Sequence, residues 1–330
     1  MESRFFMSYK YTMFLLRIIF IVVLIWLSFF GPYKAFLNSN PVTDKKYLDV
    51  YEGSSMYAVL NNLKLNSSIN KLFFKIYLNI NSIESFQAGE YAIENKNFIE
   101  IIDLLASGKT FTHSFAIIEG MNIYDLESKI NKSYLINDCS FLACIKSDYP
   151  FKEGVLYPDT YYYKKGMKAS EILNISHKKL DDILNTIWIK KPQNDILKNK
   201  YQALVLASII EKEAGNHEEK TDIASVFLKR LSIGMRLQAD PTIIYGLLPN
   251  FSGDIRKSDI LDKNNIYNTY MIKGLPPAPI SIASMSSIEA AIMSLPGEYL
   301  YFVANSPNSH YFSRTYDEHL NMIKKVGLDK

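Results

Sequence analysis

The chain reads as an α+β protein with an N-terminal transmembrane helix, a small α+β module and a larger α+β unit. Three observations support that class. Met13 to Phe30 is apolar except for Arg17 and Ser28, about the length that crosses the hydrocarbon core of a bilayer. From Tyr47 to Lys109, strand patterns and helix patterns alternate in short pieces bounded by Gly, Ser and Asn. After Thr110 a buried-strand pattern leads into helices separated by irregular segments rich in Pro and Gly, with no internal repeat.

Residues 1–12 form the expected cytoplasmic tail and residues 13–30 the span. Arg4, Lys10 and Arg17 sit at or near the N-terminal end of the apolar run, so the positive-inside rule keeps that end in the cytoplasm and puts the rest outside. A cleaved signal peptide has a shorter apolar region followed by small residues, unlike Phe29-Phe30-Gly31-Pro32. No later segment is long and apolar enough to span, so a single-pass protein is expected. Residues 31–46 are the expected linker, polar from Asn38 and containing Pro41.

The module, 47–109, begins with a strand at Tyr47 to Tyr51, a turn at Gly53-Ser54-Ser55 and a helix over Met56 to Leu63. A second helix around Lys71 to Leu78, a strand at Ala88 to Ile93 and a helix from Asn97 to Ser107 stopped by Gly108 complete it. The larger unit, 110–330, opens with a strand and turn at Phe115 to Gly120 and a helix near Tyr124.

Composition narrows the chemistry. At 330 residues and 48% hydrophobic content the chain holds two packed cores. Its net charge is +3 with Lys and Arg spread along it, so the electrostatic footprint of a nucleic-acid binder is absent. His310 and His319 are isolated and no His-Glu-x-x-His occurs, so neither metal nor cofactor is expected. Cys139 and Cys144 are too few for a disulfide framework, and in an oxidising compartment they can pair in a structural or optional role.

The densest signal is the helix end Leu206 to Gly215. Ala203, Leu206, Ala207, Ile210 and Ala214 recur at helical period, and Gly215 is expected to take the left-handed position past the helix. Glu211 and Glu213 then lie in the last turn. Glu213 follows Leu206, Ile209 and Ile210, whereas Glu211 follows Leu204, Ala207 and Ser208, so Glu213 has the drier surroundings. Desolvation and the negative end of the helix dipole both favour its protonated form, as a general acid requires. A helix-end carboxylate paired with Lys212 or Lys220 is the competing reading.

Four further stretches stand out. Gly154 to Tyr163, with Tyr157, Asp159 and Thr160, offers the aromatic faces and polar groups that sugars use, or else tyrosines packing a sheet edge. In Gly234 to Thr242, the residues Gln238, Asp240 and Thr242 share a side if the backbone is extended, or Asp240 caps a helix begun by Pro241. Asn268-Thr269-Tyr270 precedes a loop stiffened by Pro276, Pro277 and Pro279, a binding wall or a rigid connector. Tyr299 to Ala304 reads as a buried strand.

In order, Ala88-Gly89-Glu90-Tyr91, Glu119-Gly120, Tyr157-Pro158-Asp159-Thr160, the Ala207 to Glu213 helix end, Arg236 to Thr242, Asn268-Thr269-Tyr270, Gly274-Leu275-Pro276-Pro277 and Tyr301-Phe302-Val303-Ala304 resemble the endolytic murein transglycosylases, the MltG or YceG-like family. The resemblance implies a LysM-like module over 47–109, a YceG-like catalytic domain over 110–330, and Glu213 as the catalytic glutamate. It implies substrate contacts from Tyr157, Asp159, Thr160, Arg236, Gln238, Asp240, Thr242, Tyr245, Asn268, Thr269, Tyr270, Pro276 and Pro277. The implied setting is the outer face of the cytoplasmic membrane, on peptidoglycan glycan strands, near penicillin-binding synthases.

The implied reaction cuts the β-1,4 bond between N-acetylmuramic acid and N-acetylglucosamine without water. One carboxyl group protonates the leaving oxygen, then accepts the proton of the muramic acid C6 hydroxyl as that hydroxyl closes a 1,6-anhydro ring, so no second carboxylate is required. The chain departs from the family at Ala278, where Gly is usual, and at Ala283-Ser284, where Pro-Gly is usual. Two other functions fit the same residues: a non-catalytic peptidoglycan-binding scaffold, and a hydrolase using Asp159 or Asp240 as second carboxylate.

Overall fold

The computed structural model describes residues 2–41 and 45–327, with side chains from Thr12 onward. The side chains of Arg4 and Lys10, residues 42–44 of the expected linker and residues 328–330 lie outside the described residues. The chain forms two compact units, up to Thr112 and from His113.

The first unit starts with α1 (Glu2–Leu37), which runs unbroken through Gly31 and Pro32. Within it, Thr12–Leu37 is long and apolar enough to cross a membrane, and Thr12 to Ser28 is exposed throughout. The segment from residue 31 was expected as linker, but its first two turns are helix. The cause is tertiary: Phe29, Tyr33 and Phe36 share one helix face, and the Phe36 ring packs tilted against Phe98 in the core, 4.4 Å between centres, which holds the helix together past the apolar run.

The rest of the unit is β1 (Tyr47–Val50), α2 (Tyr57–Asn62), α3 (Ser68–Ile80), β2 (Gly89–Ala92) and α4 (Phe98–Ser107). β1 and β2 pair antiparallel, Tyr47 opposite Ala92 and Val50 opposite Gly89. α3 begins at Ser68, earlier than the apolar period suggested, because Ser67 caps it by accepting from the Asn70 backbone N–H. Asn97 and Glu100 form a capping box on α4, and Gly108 closes it at φ +66°. Leu60, Phe74, Tyr91, Phe98 and Ile101 fill the core.

The second unit comprises β3 (His113–Ile117), α5 (Ile123–Asn131), β4 (Asp159–Tyr163), α6 (Ala169–Trp188), α7 (Lys200–Glu213), α8 (Lys220–Ser232), α9 (Asp240–Leu247), α10 (Lys257–Ile260), α11 (Met285–Met293), β5 (Tyr301–Ser306), β6 (Ser309–Ser313) and α12 (Tyr316–Val326). β3 pairs with β4 and β5 with β6, both antiparallel. Residues 154–163 thus end in a strand. Cys139 and Cys144 are joined in a disulfide after α5.

At the centre stands α7. Every residue from Ala203 to Ile210 is buried, and α6, α8, α9 and α11 pack around it, the pattern of a core helix rather than a surface one. Its end departs from expectation. Ala214 is extended (φ −70°, ψ 125°), and Gly215 has no positive φ. Gly215 is required for a different reason: a Cβ there would lie 2.8 Å from Asn308 Cα, where the β5–β6 turn crosses the helix end.

Candidate active site

The helix period turns residues two apart by ~200°, so Glu211 and Glu213 leave the end of α7 on opposite sides. Glu211 enters a buried polar cluster. Its Oε2 accepts from the Ser284 backbone N–H at 2.9 Å, from the Ser284 hydroxyl at 2.5 Å and from the Ser287 hydroxyl at 2.6 Å. Lys220 Nζ stands 3.1 Å away and also donates to Ser284 and Ser286. Burial opposes the charge on Glu211, but these donors and the ammonium outweigh it and hold its pKa below the ordinary carboxylate value.

Glu213 enters a cavity of about 400 Å³, lined also by Arg230, Gln238, Asp240, Tyr270, Tyr301, Phe302, Val303, Ala304, His310, Tyr316 and His319. Among the described residues nothing donates a hydrogen bond to its carboxyl group. Neither expected lysine pairs with it: Lys220 is committed to Glu211, and Lys212 reaches the Gly120 carbonyl. Burial, then repulsion from Asp240, push its pKa up to about 8, with Arg230 opposing them. At neutral pH Glu213 is an uncharged acid.

The wall carrying Gln238 and Asp240 is braced from behind. Thr269 Oγ1 accepts from the Ala239 backbone N–H at 2.9 Å and meets Thr242 Oγ1 at 2.9 Å, and Thr242 donates to the Ala239 carbonyl at 2.6 Å. Asn268 Nδ2 donates to the carbonyls of Asp259, Ile260 and Asp262. Thr242, Asn268 and Thr269 are fully buried, so these three residues support the wall from behind. Gln238 is held at φ +51°, a costly conformation for a residue other than glycine that this bracing sustains. Tyr270 completes the wall by donating its hydroxyl to Asp240 at 2.7 Å. The segment is neither of the two alternatives alone, since Gln238 precedes a helix that Asp240 opens.

Of the expected site residues, the cavity gathers Glu213, Gln238, Asp240 and Tyr270. The others lie elsewhere. Tyr157 sits under the Lys179 ammonium, 4.6 Å from the ring centre, and Asp159 pairs with the same lysine. Thr160 belongs to β4, so this stretch forms an edge of the two-stranded β3–β4 sheet. Tyr245 donates to Glu153, whose buried carboxyl is pushed up to about 7 by desolvation. Arg236 is exposed, Pro276 is buried, and the Pro277 carbonyl accepts from Tyr201.

Sequence reasoning missed Arg230, Tyr316 and the cavity roles of His310, His319 and β5. Arg230 is buried, donating to the carbonyls of Leu300 (2.7 Å) and Leu237 (2.5 Å) with its guanidinium 5.5 Å from the Tyr301 ring centre. The signal was present: Arg230 continues the apolar stripe of Ile223 and Phe227 on α8. β5 was expected to be buried, yet its face is half-exposed toward the cavity. His310 is bound by Glu219 through both its backbone N–H and Nδ1, and His319, whose pKa burial and Arg230 lower, stacks on Tyr301. Among the described residues no cluster suited to a metal ion occurs.

A lone protonated carboxyl in an open, aromatic-walled cavity can give a proton to a bound oxygen and take one back. The model of the YceG-like family matches residues 48–325. The endolytic murein transglycosylase of Bacillus subtilis (strain 168) is 30% identical over 318 residues, covering 86% of this chain and 85% of that protein. The protein of the same name from Streptococcus pneumoniae serotype 2 (strain D39) is 24% identical over 348 residues, 92% of this chain and 63% of its own length. A crystal structure of a YceG-like protein from Listeria monocytogenes superposes with a TM-score of 0.55 at 29% identity, covering 84% of this chain and 98% of that one. With a family model matched over most of its length, the chain belongs to the YceG-like family.

Proposed function

We propose that the chain is an endolytic peptidoglycan transglycosylase, a lyase held in the cytoplasmic membrane by α1 with both units outside. The observation that carries this reading is the isolation of Glu213: an uncharged carboxyl without a hydrogen-bond donor among the described residues, opening on a cavity large enough for sugar rings. The name carried by the Bacillus relative supports the same chemistry.

Glu213 donates its proton to the glycosidic oxygen as the β-1,4 bond to C1 of N-acetylmuramic acid breaks. The resulting carboxylate, faced by Arg230, takes the proton of the C6 hydroxyl as that oxygen bonds to C1, which regenerates the acid and leaves a 1,6-anhydro end. Asp240 acts by keeping Glu213 protonated, and Gln238, Tyr270, Tyr301 and Phe302 offer polar and aromatic surface to the sugars. The strand–helix–helix–strand order of the first unit, with its strands antiparallel, supports a LysM-like glycan-binding role. Nascent strands from penicillin-binding synthases are the proposed substrate, and their cleavage ends elongation.

Asp240 in the same cavity favours one second reading, hydrolysis with Asp240 activating water. Incubating the full chain with uncrosslinked glycan strands and weighing the products decides between them. Ends lighter by one water support the lyase, reducing ends support the hydrolase, and intact strands support a non-catalytic scaffold.

A further inference from the structure

Helix α3 has two apolar faces and only one is used by the fold. Phe73, Phe74, Tyr77 and Leu78 are buried in the core of the first unit. Ile69, Leu72, Ile76 and Ile80 follow the helical period along a neighbouring strip, and Ile69, Leu72 and Ile80 are 54%, 51% and 70% exposed. Ile69 and Leu72 fall within the 45% to 63% range of the apolar residues from Phe14 to Leu27 in the span, and Ile80 exceeds it. Lys71 and Lys75 are exposed on the polar side of the same helix.

What covers this strip follows from α1. A hydrocarbon core of ~30 Å takes ~20 helical residues, so a span entered at Met13 is left near Pro32. Phe29 then lies at the outer edge of the acyl region and Tyr33 among the headgroups. The Phe73 ring of α3 packs edge-on against both, 5.5 Å from each ring centre. That contact fixes the depth of α3 at the membrane surface, because Ile69 and Ile76 lie within one helical turn of Phe73. An apolar strip bordered by lysines at that depth has the composition of a helix lying in the interfacial plane.

We propose that α3 seats the first unit on the lipid bilayer, with Ile69, Leu72, Ile76 and Ile80 among the headgroups and upper acyl chains and Lys71 and Lys75 at lipid phosphates. The unit is then a platform at the bilayer surface, and glycan reaching it lies within that unit's thickness of the membrane. The proposal rests on the reading of α1 as a span.

The test uses the full chain in vesicles of three parts phosphatidylcholine to one part phosphatidylglycerol. Leu72→Cys carries an environment-sensitive fluorophore, attached without reductant so that Cys139 and Cys144 stay bonded. Trp26, in a Trp188→Phe background, reports on the span. Nitroxide lipids labelled near the headgroup should quench the Leu72 probe roughly two-fold, while nitroxides deep in the acyl chains quench Trp26. Quenching of Trp26 with none at Leu72 overturns the proposal and leaves the span intact. A dry but unquenched Leu72 probe whose emission depends on protein concentration means a second copy covers the strip, which also overturns it. Absence of quenching at Trp26 removes the span and the proposal together.

Discussion

Glu211 and Glu213 stand two residues apart on one helix end, yet their surroundings drive them to opposite charge states. Burial disfavours the charge on both, so the donors around each decide the outcome. Glu211 meets the Ser284 and Ser287 hydroxyls, one backbone N–H and Lys220, while Glu213 meets none among the described residues and is faced by Asp240. One carboxylate ties three helices together. The other is left bare, and a bare buried carboxyl is costly to stability and useful as an acid.

The comparison is broken most severely at Glu213. Glu213→Gln should lower the rate of strand cleavage by about 10³-fold or more, measured by product analysis on uncrosslinked glycan. The same variant should gain stability at pH 7. The folded chain holds this proton more tightly than the unfolded chain, so stability is lost as pH rises from the ordinary carboxylate value to about 8. The neutral isostere escapes that loss, by about 3 kcal/mol at pH 7, read as a rise in Tm that grows with pH.

The opposite pattern is expected at the other carboxylate. Lys220→Met leaves Glu211 charged, buried and without its cation, and Glu211→Gln leaves Lys220 in the same state. Each should cost about 3–5 kcal/mol in denaturant unfolding, while cleavage per folded molecule changes little. Here stability is present above the ordinary carboxylate pKa and is lost on acidification.

Smaller effects sharpen the contrast. Gly215→Ala forces the β5–β6 turn away from the helix end, at a cost of about 1–3 kcal/mol, and cleavage should fall with it because β5 lines the cavity. Asp240→Asn removes the charge that helps hold the proton on Glu213. The alkaline limb of the pH–rate profile should move to lower pH, with a change of a few-fold in rate at pH 7.

Much of this was legible in the chain. The period of α7 and the drier surroundings of Glu213 came from local spacing, and the capping residues of α4 marked its ends. What stayed hidden depended on distant packing. Gly215 was assigned a left-handed turn because nothing local shows Asn308 arriving from the β5–β6 turn. The donors that keep Glu211 charged left no local signal, since Ser284 and Ser287 lie more than 70 positions beyond it. Thr242, Asn268 and Thr269 looked like ligand contacts because buried bracing and sugar binding use the same side-chain chemistry. Arg230 was overlooked because a buried charge on an apolar face runs against the usual reading of an amphipathic helix.

The two charge states are most directly tested by carbon NMR titration of the full chain labelled at the glutamate carboxyl carbon, with Glu213→Gln and Glu211→Gln used to assign the two resonances. Glu213 should titrate near pH 8 and Glu211 below the ordinary carboxylate value. A Glu213 resonance that titrates between pH 4 and 5, as a solvated carboxyl does, would contradict the assignment of Glu213 as the resident acid.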